Sequence, residues 1–88
     1  MSDSAVDFKQ LDLSQPIAEY TTAIELYPQN PRSYIDRGTL YAYLGKCELA
    51  RADFETARSF DLLPYALEAL NERESVLLAD CIAQETDK

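Results

Sequence analysis

Apolar positions recur at helical spacing in four stretches, with polar or helix-breaking residues between them. Ile17, Tyr20, Ala23, Ile24 and Tyr27 form a stripe that predicts a helix over about 16–28, entered near Ser14 as an N-cap candidate with Pro16 in its first turn. Pro28-Gln29-Asn30-Pro31 reads as a turn: each proline biases the residue before it away from helix, and Asn30 can cap the helix that Pro31 opens. The next helix should run over about 31–44, with Tyr34, Gly38 and Tyr41 on one stripe. Gly45, just past the last apolar residue, can take the left-handed conformation that closes it. Ala50, Phe54 and Ala57 repeat the small-and-aromatic stripe on a helix over about 47–61. Gly38 has no side chain, so it is where a partner helix can come closest, and 31–61 is expected to be two antiparallel helices packed together.

Leu62-Leu63-Pro64 breaks the pattern. The longest helix is then expected over about 65–84. Leu63, Leu67, Leu70, Leu77 and Cys81 trace its apolar face, widened by Ala66, Leu78 and Ile82; Glu68, Glu72, Asp80 and Glu85 lie largely opposite. Residues 1–13 mix Val6, Phe8, Leu11 and Leu13 with acids and are too short for a firm helix. They are expected to be poorly ordered, or docked through Phe8 and Leu11 as a partial cap on a single helical domain at 14–88.

The central stretch resembles a tetratricopeptide repeat (TPR), a helix-turn-helix unit of roughly 34 residues with the pattern W-x2-L-G-x2-Y, then A-x3-F, then P. Here it stands as Tyr34-x2-Arg37-Gly38-x2-Tyr41, then Ala50-x3-Phe54 and Ala57, with Pro64 closing the unit. Arg37 occupies the leucine position, and Pro64 comes later than the family usually sets it. Tyr20, Ala23 and Pro28 match Phe54, Ala57 and the closing proline, so 16–28 resembles the second helix of a preceding repeat. No alignment of 65–84 gives a small residue where Gly38 stands, so that stretch reads as a terminal capping helix. The resemblance implies an all-α fold: antiparallel helical hairpins in a right-handed TPR-like stack, one complete repeat at about 31–64, a partial one before it and a cap after it.

Charge narrows the function. The 88-residue chain has a net charge of −8. The acids outnumber the bases at both ends, while 31–63 carries Arg32, Arg37, Lys46, Arg51 and Arg58 against Asp36, Glu48, Asp53, Glu55 and Asp61. Nucleic acid needs a basic surface and is not an expected ligand. No apolar run approaches the ~20 residues of a membrane span, and Met1-Ser2-Asp3-Ser4 lacks the features of a secretion signal, so the expected location is cytoplasmic. Cys47 and Cys81 are too few and too far apart to read as a disulfide framework; buried free thiols are the expectation, with a cross-link left open.

Catalysis is not expected. The chain has no histidine, so the commonest general base and metal ligand is missing and a cysteine nucleophile would lack its usual activator. Gly38 and Gly45 are explained by packing and helix termination, not by phosphate binding, and the acids lack the spacing of a calcium loop. No cofactor, metal or small-molecule substrate is expected.

The resemblance implies a partner-binding surface on the first helix of the hairpin, and the matching positions are Arg32, Ile35, Thr39, Ala42 and Tyr43, with Asp36 at the margin. Ile35 and Tyr43 offer apolar area, Thr39 a hydrogen bond, and Arg32 a pairing with a carboxylate. The family's clamp for a chaperone C-terminal carboxylate needs asparagines and a lysine where Ile35, Asp36 and Thr39 stand, so that ligand is not expected. The leading expectation is a non-enzymatic TPR-like adaptor that binds a protein segment along 31–44. A single repeat cannot bury its faces alone, so a structural subunit that forms a homodimer or hetero-complex is the alternative. An acidic inhibitor of a basic nucleic-acid-binding protein is a weaker one.

Overall fold

The computed structural model describes residues 12–86, with backbone alone at 80 and 82–86. Four helices make up the order: α1 (Ser14–Leu26), α2 (Pro31–Tyr43), α3 (Cys47–Arg58) and α4 (Pro64–Thr86). The described residues are all-helical and contain no strand. Docking by Phe8 and Leu11, and the facing of Asp80, Ile82 and Glu85, lie outside the described residues.

Local chemistry sets the helix ends. Asn30 caps α2 by accepting a 3.1 Å hydrogen bond from the Arg32 N–H, and Pro31 fills the first position, where no donor is needed. Gly45 takes φ 79°, a value that favours glycine, and the Leu44 and Gly45 N–H groups bond back to α2 carbonyls. The start of α1 differs from expectation. Ser14 is the first helical residue, and the Asp12 carboxylate accepts from both its N–H (3.1 Å) and its hydroxyl (2.6 Å). Those bonds hold the Asp12 carboxyl below its ordinary pKa of 3.8.

The α2–α3 contact is close because Gly38 is bare. A Cβ placed there would sit 3.0 Å from the Phe54 ring and 3.1 Å from Asp53 Cβ. Ala50, Phe54 and Ala57 are fully buried, and sealing a phenylalanine in this way contributes about 1.5–3 kcal/mol. Along the same contact the Tyr34 and Phe60 rings lie 5.7 Å apart. By contrast α1 contains no fully buried residue, because its main contact is with α2. Tyr20 and Ala23 are therefore only half-buried where Phe54 and Ala57 are sealed. Tyr27, expected on the α1 stripe, lies past the helix end and is exposed.

Arg37, in the position where the resembled pattern has leucine, joins three helices. Its Nε and Nη2 each donate a 2.8 Å bond to the Asp53 carboxylate on α3, and Nη1 donates to Thr21 Oγ1 on α1 at 3.1 Å. The guanidinium also lies 5.7 Å from the Tyr41 ring centroid. The fork on Asp53 raises the Arg37 pKa above its ordinary value against the cost of burial. A long side chain with a charged tip thus ties α2 to both α1 and α3.

α3 ends at Arg58, short of residue 61, and Pro64 opens α4 instead of closing α3. Leu63, expected on the apolar face of α4, precedes the helix and is exposed. The buried face of α4 carries Leu70, Leu78 and Cys81, with Leu77 partly covered. Arg58 of α3 reaches α4 by donating to Asn71 Oδ1 (3.1 Å) and pairing with Glu74. Cys47 and Cys81 are buried as expected but not free: they form a disulfide, with Cα atoms 5.9 Å apart, well within the reach of that bond. Two residues far apart in sequence meet because α4 lies back across the start of α3.

Candidate protein-binding site

One flank of α2 is shut by α3, and a cleft lies between its other flank and α4. Near the start of α2 the cleft forms a pocket of about 360 Å³ with an apolar wall of Pro31, Ile35, Leu62, Ala66 and Leu70 and two guanidiniums, Arg32 and Arg73, beside it. Further along it widens to about 590 Å³ between Thr39 and Tyr43 on one side and Ala69, Val76 and Leu77 on the other. Arg73 borders both parts.

Four of the residues expected to meet a partner line this cleft: Arg32, Ile35, Thr39 and Tyr43. Ile35 is half-buried against the core, whereas Tyr43 is 39% exposed. Thr39 Oγ1 donates to the Ile35 carbonyl at 2.8 Å and accepts from Arg73 Nη1 at 3.3 Å, so its hydroxyl is engaged in both directions. Asp36 receives a 3.3 Å bond from Arg32, which fits its marginal position and tempers the charge of that arginine. Ala42 stands apart from the rest: it is buried in the core cluster.

The cleft wall from α4 was not expected. Arg73, Val76 and Leu77 complete it, and Arg73 carries its second guanidinium. A signal for Arg73 was present, since it is the only base between residues 64 and 86, in a stretch crowded with acids. Val76 carried none, because an apolar residue on a helix with a broad apolar face gives no hint of which neighbour it meets.

A separate hollow of about 620 Å³ lies between α1 and the end of α2, lined chiefly by Leu13, Ile17, Thr21, Tyr41 and Leu44. It opens beside Asp12, where the described residues begin, and nothing among them says what covers it. Among the described residues no group of three or more histidine, cysteine, aspartate or glutamate side chains could hold a metal ion. No helix among them is long and apolar enough to cross a membrane. Comparison with protein-family models, with curated proteins and with solved structures returns no match for the chain.

Proposed function

We propose that the chain is a non-enzymatic protein-interaction module of TPR-like build that holds a segment of another protein in the cleft between α2 and α4. The observation that carries this reading is the lining itself, in which Ile35, Tyr43, Val76 and Leu77 offer apolar area and the guanidiniums of Arg32 and Arg73 offer polar contacts in two adjoining hollows that share Ala69 and Arg73. The hairpin part of the reading rests on contact order: Tyr34 meets Phe60, Gly38 meets Phe54, and positions later in α2 meet positions earlier in α3, as antiparallel neighbours do. In that reading α1 is the second helix of a preceding unit and α4 the terminal helix.

Selection from a displayed peptide library tests it. Peptides enriched on the wild-type chain should lose at least about tenfold in affinity on Tyr43→Ala or Arg32→Ala, changes that leave helicity intact, because each removes a cleft contact worth on the order of 1.4 kcal/mol. Enriched peptides that bind both variants as well as wild type would move the site elsewhere.

A second reading, a structural subunit, is favoured by Leu26, Tyr27, Leu63 and Tyr65, four large apolar residues exposed at 59–71% around the turns after α1 and before α4. Light scattering over a concentration series separates the two, since a chain that stays monomeric at micromolar concentration contradicts self-association. A cytoplasmic setting keeps cysteines reduced, so the compartment would decide the state of the Cys47–Cys81 link.

A further inference from the structure

We infer that the narrow pocket at the start of α2 takes an aliphatic side chain of the partner segment together with a neighbouring aspartate or glutamate, whose carboxylate meets the guanidiniums of Arg32 and Arg73. The inference rests on the cleft being the binding surface and names the chemistry that this surface selects. The charge of the pocket runs against that of the chain. With 16 acids against 8 bases the chain carries −8, yet among the described residues the pocket is lined by two arginines and no carboxylate. Its wall is apolar, built from Ile35, Leu62, Ala66 and Leu70, with Leu70 sealed into the core. A volume of about 360 Å³ lies at the low end for ligand clefts and suits one or two side chains. An apolar wall beside two guanidiniums matches an aliphatic side chain beside a carboxylate, because the wall excludes water and strengthens the pairing.

Both guanidiniums are held loosely. Arg32 Nε donates to Asp36 at 3.3 Å from a side chain that is 78% exposed, and an exposed pair of this kind contributes little. A ligand carboxylate therefore replaces Asp36 at small cost. Arg73 Nη1 donates to Thr39 Oγ1 at 3.3 Å, a bond that aims the guanidinium from α4 towards α2 and uses one of its five donors. The other arginines that reach between helices differ: Arg37 is forked on Asp53, and Arg58 is held by Asn71 and Glu74. Those two serve the frame, and the pair at the pocket is left to recognition.

The field of the whole chain limits the partner. Screening at physiological salt keeps the pull of the two guanidiniums local, within about 8 Å, while the excess of acids disfavours a uniformly acidic segment over the rest of the surface. Glu72 lines the wider hollow next along the cleft, so the preference for an acid belongs to the narrow pocket. The segment should carry one acid within two residues of a leucine, isoleucine or methionine, and be neutral or basic elsewhere.

The probe is a library of random peptides displayed as loops closed at both ends, so that neither a free C-terminal carboxylate nor a phosphate is offered. Sequences enriched on the wild-type chain should contain the acid beside the aliphatic residue. In a synthetic, end-blocked copy, exchanging that acid for its amide should weaken binding about fivefold by fluorescence anisotropy. On an Arg32→Gln, Arg73→Gln chain the same exchange should cost less than about twofold. The acid-to-amide step is made in the peptide, so its effect on the wild-type chain stands whether or not the variant folds well. Amide shifts of the isotope-labelled chain then locate each peptide. Peptides that sit in the cleft but lack the acid, or tolerate its amide, would overturn this inference and leave the cleft as the site. Peptides that sit elsewhere, or a library from which none is enriched, would overturn both.

Discussion

The two flanks of α2 are covered by different means. Towards α3 the contact is one of shape: Gly38 admits the Phe54 ring, and Ala50, Phe54 and Ala57 leave no gap. Towards α4 the Arg73 bond to the Thr39 hydroxyl stands beside a cleft, and the ties through Arg58 and the Cys47–Cys81 disulfide hold α4 to α3 and not to α2. Close packing spreads its stabilisation over many small contacts and fails only when volume changes. Separate ties leave space for a ligand, and each can be removed alone. A molecule that needs both a rigid frame and an accessible surface gains from having one of each.

The largest effect is expected where the frame carries charge. Asp53→Ala would leave the Arg37 guanidinium, whose side chain is 18% exposed, without its carboxylate, and should cost about 3–5 kcal/mol in chemical denaturation. Replacing both partners, Arg37→Leu with Asp53→Leu, should recover most of that loss, to within about 1 kcal/mol of wild type, because a buried pair contributes little over an apolar one of similar volume. A double variant as unstable as the single one would mean that the fork to Asp53 and Thr21 sets the frame in a way that apolar packing cannot replace.

Gly38→Leu comes next. Even a methyl group at residue 38 would be crowded at 3.0 Å, so the larger side chain should cost about 1–3 kcal/mol by forcing α2 from α3. An unchanged melting temperature would show that the frame is not closed by shape. The smallest effect belongs to Asp12. Its folded-state pKa is depressed, so its contribution to stability is complete above pH 3.8 and is lost as pH falls through the lower folded value. Asp12→Asn should flatten that acid limb slightly and leave stability at neutral pH almost unchanged; an unaltered limb would remove Asp12 from the account of how α1 begins.

The same contrast explains what could be read from the sequence. Periodicity located the four helices to within a few residues, and a glycine between two tyrosines at helical spacing marked the Gly38 approach, because close packing needs residues of fixed size at fixed intervals. The ties to α4 have no such grammar. Arg58 with Glu74, Arg73 with Thr39 and Cys47 with Cys81 depend on how the last helix lies across the others, which no local spacing encodes. Arg37 fell between the two: its position was visible as a departure from the resembled pattern, but its partners on α1 and α3 were not. Half the cleft was legible through the resemblance, which implies Ile35, Thr39 and Tyr43 as surface positions of the helix over 31–44, whereas Val76 and Leu77 needed the orientation of α4.

The most direct measurement is a nuclear magnetic resonance titration of the isotope-labelled, oxidised chain with a peptide selected from the displayed library. Amide shifts should gather on Arg32, Ile35, Thr39 and Tyr43 of α2 and on Ala69, Arg73, Val76 and Leu77 of α4, leaving α1 and the outer face of α3 unmoved. Shifts that gathered instead at the Leu26–Asn30 turn, or along the hollow between α1 and α2, would contradict the assignment of the cleft as the site.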